Sequence, residues 1–240
     1  MNPAPRRKGR GHRLLLPLAI VLLAGCGRPA QEYFPLHPGW EWQYAMRIVT
    51  ADGPRPGKHL VTNLPAYDLA GVRTIPRRSP GGTTVLYTQG AQGVQRVGES
   101  AEGEEPRRYA MPQTVLPASL AVGATWRGDT RTRVLEVTSH AAGALYRIEA
   151  DVPLLYTLES VTDTVRVPAG EFRGCLRVRA SGSTLAEVRK QVGLAEIRVE
   201  QVDWYAPGVG LVRSERRETT SSSALPSGTL EVELERVRRP

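Results

Sequence analysis

The feature that most constrains the fold of this 240-residue chain is an alternation of apolar and polar residues with a period of two. In segment 40–48, every second side chain is apolar and these side chains share one face of an extended strand: Trp40, Trp42, Tyr44, Met46 and Ile48. Near the end of the chain, Leu230, Val232 and Leu234 alternate with glutamates in the same way. A helix would scatter both sets around its circumference, so both segments are predicted to be amphipathic strands.

Eight further segments carry weaker forms of this pattern and are predicted to be strands: 58–64, 83–88, 93–97, 131–138, 144–150, 160–167, 175–180 and 209–214. Segment 184–192 stays open between a helical turn, since its apolar residues are three and four apart, and a strand that continues into Ala195, Ile197 and Val199. The 24 glycines and 19 prolines are spread singly, which is typical of short strands joined by turns. The expected fold class is therefore all-β: an antiparallel, strongly curved sheet or half-barrel.

A proline, a glycine and then a tryptophan precede a predicted strand twice, in 35–40 and in 117–126. This echo is consistent with two related β units, 33–113 and 114–240. Pro-Gly turns before strands are also common in any β protein, so an undivided β-rich domain over 33–240 stays open.

The N-terminal residues have the composition of a secretory signal. Five basic residues and no acidic residue precede the apolar run 14–23, which is too short to span a bilayer as a permanent helix. Residues 1–25 are therefore predicted to be a signal peptide that is removed on export. Its removal takes five of the 32 basic residues and leaves 27 against 24 acidic ones, a formal charge of +3 instead of +8. The basic excess is largely a targeting signal, and nucleic acid is not an expected partner.

The signal ends in Leu23-Ala24-Gly25-Cys26, which resembles the lipobox of bacterial lipoproteins. The resemblance implies cleavage between Gly25 and Cys26, acylation of Cys26 with palmitate or a similar chain, and a lipidated tether over 26–32. Gly27 stands where an aspartate would be expected in a protein kept at the inner membrane, so the resemblance also implies outer-membrane delivery, facing the periplasm. The alternatives are an ordinary signal peptide with a chance cysteine and an uncleaved anchor helix.

Three segments taken together, 33–42, 165–178 and 204–212, resemble a broad group of uncharacterised bacterial envelope lipoproteins. The resemblance implies a lipid-anchored, β-rich domain and no particular activity. A looser likeness in architecture is to lipoprotein-carrier half-barrels, in which a curved sheet encloses an apolar cavity. From its own residues, Pro168-Ala169-Gly170 is predicted to be a hairpin turn between two strands, and Pro207-Gly208 a second turn.

Residue patterns that indicate catalysis or metal binding were not found in the sequence. The histidines that follow the signal, His37, His59 and His140, stand apart from one another, so neither a metal site nor a cofactor is expected. No Gly-x-Ser-x-Gly motif is present, and the protein is expected not to be an enzyme. Cys175 would be the one cysteine left beside the lipidated Cys26, so no disulfide is expected, and Cys175 is predicted to be a small buried residue.

The aromatic side chains Trp40, Trp42 and Tyr44 are the candidate binding residues, because such side chains stack on sugars or lie at a lipid interface. The alternative is that they fill the core of the first sheet. The expected function is a lipid-anchored envelope protein that serves as a binding or assembly module, with an envelope protein as its partner. The alternatives are a carrier or chaperone for an apolar ligand such as an acyl chain, and an enzyme acting on envelope polymers. A large apolar cavity would favour the carrier.

Overall fold

The structure is a computed structural model that describes Met1 and residues 29–135, 149–187, 193–222 and 227–240. Gly25, Cys26 and His140 lie outside the described residues, and so does most of the predicted strand 144–150. Within the described ranges, no helix is long and apolar enough to cross a membrane.

The described chain is nearly all β, as predicted. One short helix, α1 (Ala30–Tyr33), precedes the strands. The strands are β1 (Glu41–Thr50), β2 (Gly53–Asn63), β3 (Tyr67–Leu69), β4 (Val72–Arg78), β5 (Thr84–Gly90), β6 (Gly93–Ser100), β7 (Arg107–Pro117), β8 (Thr125–Arg131), β9 (Asp151–Val167), β10 (Gly170–Glu187), β11 (Leu194–Ala206), β12 (Gly210–Thr220) and β13 (Gly228–Arg238).

All strand pairs are antiparallel, and the sheet is a meander that curls back on itself. Apart from β3, which pairs only with β4, neighbours in the sheet follow one another along the chain from β1 to β7 and from β8 to β13. The first strand, β1, pairs with the last strand, β13. The two free edges, β7 and β8, come close enough for Gln113 Nε2 to donate a hydrogen bond to Asp129 Oδ2 at 3.2 Å. The result is a nearly closed, barrel-like sheet with one seam, between β7 and β8, which confirms the predicted strong curvature.

The two clearest predicted strands are confirmed and lie side by side as β1 and β13. Leu230 and Leu234 are buried, while Glu231 between them is exposed. The glutamates of β13 face basic side chains on the outer surface, with Glu231 Oε2 3.9 Å from Arg47 Nη1. The alternation therefore reports the inner and outer faces of the curled sheet.

Other parts of the sequence prediction differ from the structure. The predicted strand 131–138 is wrong in its described part, because β8 ends at Arg131 and residues 132–135 turn inward. Segment 184–192 is strand as far as Glu187, and residues 188–192 lie outside the described residues. Strands β3, β4 and β7 were not predicted, and neither was β8 apart from Arg131. The proposed division at residue 113 falls inside β7, and the strands on both sides of it belong to one sheet.

The predicted hairpin at 165–178 is confirmed. Val167 pairs with Gly170, so Pro168 and Ala169 form a two-residue turn. Gly170 has a φ of +133°, which glycine adopts without strain. Cys175, farther along β10, is buried as predicted.

Two short segments fill the two ends of the curled sheet. At one end lie residues 30–36, called the N-terminal plug, whose buried side chains pack against residues from β4 round to β11. At the opposite end, residues 132–135, called the inner segment, bring Val134 and Leu135 inside, where they are 0% and 1% exposed. Protein interiors are close-packed and hold few large voids, so the space left between these two segments is unusual and is a candidate site.

Candidate functional site

A cavity of about 270 Å³ lies between the N-terminal plug and the inner segment. Phe34 of the plug and Arg133 of the inner segment both line it, as do side chains from β1, β2, β4, β5, β6, β9, β11, β12 and β13. It extends to the seam, where Gln113 of β7 and Asp129 of β8 form part of its wall. The seam is therefore the part of the sheet where the cavity wall lacks a continuous backbone ladder.

Four arginines line the cavity: Arg77, Arg96, Arg133 and Arg216. Of these, Arg216 is neutralised. Its Nε lies 2.6 Å from Glu218 Oε1, and the two side chains are 2% and 0% exposed. Arg216 also donates to Thr130 Oγ1 at 3.1 Å and to Gln201 Oε1 at 2.8 Å. A buried ion pair of this kind is stable only when its other hydrogen-bonding groups are also satisfied, as they are here.

Glu218 also fixes the inner segment. Its carboxylate accepts hydrogen bonds from the backbone N–H groups of Arg133 at 2.8 Å, Val134 at 2.9 Å and Leu135 at 3.0 Å. These donors have left the sheet ladder and would otherwise lack partners in a buried place. Glu218 therefore holds the inner segment in place, and with it Arg133, which lines the cavity.

Arg77 holds the N-terminal plug. Its Nη2 donates to Pro35 O at 2.7 Å and its Nε donates to Asn63 Oδ1 at 2.8 Å. The guanidinium carbon lies 4.2 Å from the centroid of Phe34 and 4.7 Å from that of Trp42. Aromatic faces stabilise a cation in this position, although burial lowers the pKa of Arg77.

Arg96 and Arg133 have weaker partners. Arg96 Nη1 reaches Gln113 Oε1 at 3.5 Å, the limit of a hydrogen bond. The guanidinium of Arg133 makes no hydrogen bond or ion pair with any residue in the described ranges. Arg133 lines the cavity and keeps an accessible surface. Desolvation lowers its pKa, and the charges of Arg216 and Arg96 lower it further.

Asp203 is a buried acidic side chain in the wall of the cavity. It is 5% exposed, and its Oδ2 accepts a hydrogen bond from Gln201 Nε2 at 2.7 Å. Ser214 lies close, yet no contact to Oδ1 within the described residues has hydrogen-bond geometry. Burial raises the pKa of Asp203, which favours its neutral form. Within the described residues, the carboxyl group forms no ion pair with Arg96 or Arg133.

Aromatic rings form much of the remaining wall: Phe34, Tyr44, Tyr87, Tyr156 and Tyr205. The hydroxyl of Tyr44 donates to Leu211 O at 3.0 Å. Burial raises the pKa of Tyr156 to about 12, so its hydroxyl stays protonated and can donate. The cavity thus offers cationic and hydroxyl donors between flat apolar faces, an arrangement that suits a small polar ligand.

The three predicted binding residues lie in different places. Trp42 is a core residue, 2% exposed, and its Nε1 donates to Val209 O at 2.7 Å. Trp40 lies at the end of the sheet against His37 and Arg239. Tyr44 is the one of the three that lines the cavity. Gly25 and Cys26 lie outside the described residues.

Sequence reasoning missed Arg77, Arg96, Arg133 and Asp203, although strand parity contains a signal for two of them. Arg77 follows Ile75 at a spacing of two, and Asp203 lies between Val199 and Tyr205 on the same face of β11. Charged residues at apolar positions of a strand indicate either a buried network or a site. Within the described residues, no three His, Cys, Asp or Glu side chains come together as metal ligands.

No protein-family model and no curated protein matches the chain. Two solved structures are similar. One is a candidate lipoprotein from Parabacteroides distasonis, 14% identical, with a TM-score of 0.42 over 86% of this chain and 98% of that chain. The other is a candidate exported protein with a YmcC-like fold from Bacteroides fragilis, 16% identical, with a TM-score of 0.41 over the same shares. Similarity at this level adds nothing to the assignment of a function.

Proposed function

We propose that this chain is a lipid-anchored envelope protein that binds a small polar ligand inside its curled sheet and does not catalyse a reaction. The observation that carries the proposal is the cavity of about 270 Å³ between the two plugging segments, into which arginine and tyrosine side chains point. Ligand pockets are typically somewhat larger, about 300–1,000 Å³, so the ligand is a small molecule.

The anchor is supported by the N-terminal sequence, in which Gly25 and Cys26 follow an apolar run. Ala30 is already buried in the N-terminal plug, at 1% exposure. With Cys26 lipidated, the four residue steps from Cys26 to Ala30 span at most about 14 Å. The end of the sheet that holds the plug would then lie close to the membrane surface.

The two alternatives fit the cavity less well. An acyl chain would bury the guanidinium of Arg133 against hydrocarbon without a compensating hydrogen bond, which is unfavourable. An enzyme acting on envelope polymers would need an open cleft, whereas the described plug and inner segment occupy the two ends of the sheet. The polar character of the wall therefore favours a binding module over an apolar carrier.

Native mass spectrometry of the mature protein, extracted from membranes in mild detergent, tests internal binding. Val232 lines the cavity on β13, and Val232→Trp would fill part of the space. Glu231→Trp places the same side chain on the outer face of the same strand. We expect a non-covalent ligand mass in the wild type and in Glu231→Trp, and its loss in Val232→Trp. Equal occupancy in both variants would contradict binding in the cavity.

Labelling with radioactive palmitate tests the anchor. The thiol of Cys26 is the proposed acceptor, so Cys26→Ser is expected to abolish labelling and leave an unprocessed or soluble precursor. Equal labelling of the variant and the wild type would disprove the lipoprotein assignment.

A further inference from the structure

The positive charges of the cavity exceed the negative charges that face them. Glu218 is already paired with Arg216 and with three backbone N–H groups. Asp129 is exposed at the seam and accepts from Gln113. Asp203 accepts from Gln201 and Tyr205 and forms no ion pair with Arg96 or Arg133 among the described residues. Arg96 and Arg133 are therefore left without an ion-paired acidic group among the described residues, although Asp203 and Glu218 act on Arg133 from a greater distance.

Arg96 and Arg133 approach one shared space from different elements. Arg96 projects from β6, whereas Arg133 comes from the inner segment beyond β8. The charge of Arg96 lowers the pKa of Arg133, and His59 and Tyr156 lie within electrostatic reach of Arg133. Nearby tyrosines, Tyr87 first, raise the pKa of Arg96 against the effect of burial. His59 adds no further positive charge at neutral pH, because burial and then Arg133 lower its pKa.

Two neighbouring like charges that form no ion pair in the wall of a cavity repel each other, which is unfavourable for folding. Such pairs persist in proteins where a ligand of opposite charge supplies the compensation, and local conflicts of this kind mark functional sites. A guanidinium presents a planar fork of N–H donors that matches the oxygens of a carboxylate or a phosphate. The neighbouring tyrosine hydroxyls add neutral donors.

We propose that Arg96 and Arg133 together bind the oxyanion group, a carboxylate or a phosphate, of the ligand in the cavity. This inference rests on the proposed function, since it names the chemical class of the ligand held there. The oxyanion lies between the two guanidinium groups, and the rest of the ligand contacts the aromatic wall formed by Tyr44, Tyr87 and Tyr156.

The melting temperature of the ligand-free protein distinguishes a structural role of the arginines from a role in binding. If Arg133 stabilised the fold, Arg133→Gln would lower the melting temperature of the ligand-free protein. If its charge serves to bind an anion, the same change removes repulsion from Arg96 and Arg216 and leaves the melting temperature unchanged or raises it. Arg77→Gln is the contrast, because Arg77 ties the N-terminal plug to Asn63 and is expected to melt lower.

The experiment uses the mature, lipidated protein in detergent, freed of co-purified ligand, with inorganic phosphate as the probe at constant ionic strength. The variants are Arg96→Gln and Arg133→Gln, with Arg217→Gln as the control, since Arg217 is exposed on β12 beside Arg216. We expect phosphate to raise the melting temperature of the wild type and the control. Calorimetry should show phosphate affinity reduced roughly tenfold or more by each cavity variant, the effect of losing a hydrogen bond to a charged group. General stabilisation by excluded anions would persist in all variants, so the difference between them is the readout.

Binding of galacturonate and of its neutral counterpart galactose is compared next. The comparison separates failure of the oxyanion inference from failure of the proposed binding function. Preference for galacturonate, lost in Arg133→Gln, supports an oxyanion on a sugar-sized ligand, whereas a response to phosphate alone indicates a free small anion. Equal binding of galactose and galacturonate, lost in Val232→Trp, would keep a ligand in the cavity and overturn the oxyanion class. A phosphate response of the same size in the wild type and both cavity variants, or a lower melting temperature of ligand-free Arg133→Gln, would also overturn it.

Discussion

Replacing Glu218 with alanine would remove the acceptor that fixes the inner segment. The side chain is 0% exposed, and its two oxygens together accept from three backbone N–H groups and from Arg216. Alanine leaves Arg216 with its bonds to Thr130 and Gln201, but without an anionic partner. The change should therefore destabilise the inner segment and the cavity wall at the same time.

The size of the effect follows from these contacts. Removing one partner of a buried ion pair typically lowers the free energy of unfolding by about 3–5 kcal/mol. Each buried backbone donor left without a partner adds about 1–3 kcal/mol, and relaxation of the segment recovers part of the total. We expect Glu218→Ala to lose about 5 kcal/mol, a large part of the roughly 5–15 kcal/mol by which proteins are stable.

Urea titration of the free energy of unfolding, followed by tryptophan fluorescence, measures this loss. Glu200→Ala is the matched control, because Glu200 is exposed on the neighbouring strand β11 and should change stability by less than about 0.5 kcal/mol. A loss below about 1 kcal/mol for Glu218→Ala would refute the reasoning, since the inner segment would then not depend on the Glu218 carboxylate.

Two further predictions concern pH and backbone strain. Because burial raises the pKa of Asp203, the folded chain holds this proton more tightly than the unfolded chain, and stability falls as pH rises from about 3.9 to the folded pKa. Asp203→Asn should remove this fall and be more stable than the wild type at pH 7. Urea titrations of both proteins from pH 4 to 8 measure the difference. A steeper fall of stability with pH in the variant would contradict the predicted direction. Gly170→Val should cost roughly 1 kcal/mol or more, because a β-branched residue is strained at a φ of +133°. Arg166→Ala on the same hairpin should stay within about 0.5 kcal/mol, since its side chain is 82% exposed; equal losses would show that the turn geometry does not matter.

The sequence was sufficient to predict the fold class and the best strands. In β1 and β13 each side chain meets either the interior or the solvent, so the alternation in the sequence is strict. The pairing of β1 with β13 could not be predicted, because periodicity describes one strand and says nothing about its neighbour. The edge strand β7 was not predicted from the sequence because its own pattern is weak. Five of its eleven residues are exposed, Leu116 alone is buried, and it contains Pro112, so it shows little alternation.

The cavity could be predicted only in fragments. Arg77 and Asp203 occupy apolar positions of their strands, which marks them as unusual, but the sequence does not tell whether such residues pair with each other or face a space. Arg133 could not be found by parity, since it lies in a segment that leaves the sheet. Its position depends on Glu218, which is 85 residues away along the chain. A site that depends on contacts between residues so far apart along the chain cannot be predicted from local sequence patterns.

A crystal structure of the mature protein soaked in selenate, with anomalous data collected at the selenium edge, tests the central claim most directly. Selenate has the shape and charge of a tetrahedral oxyanion, so its selenium marks the place where an anion binds. We expect an anomalous peak inside the sheet, with selenate oxygens within hydrogen-bond distance of the guanidinium groups of Arg96 and Arg133. A cavity that holds only water or the density of an acyl chain, with selenate confined to the outer surface, would contradict it.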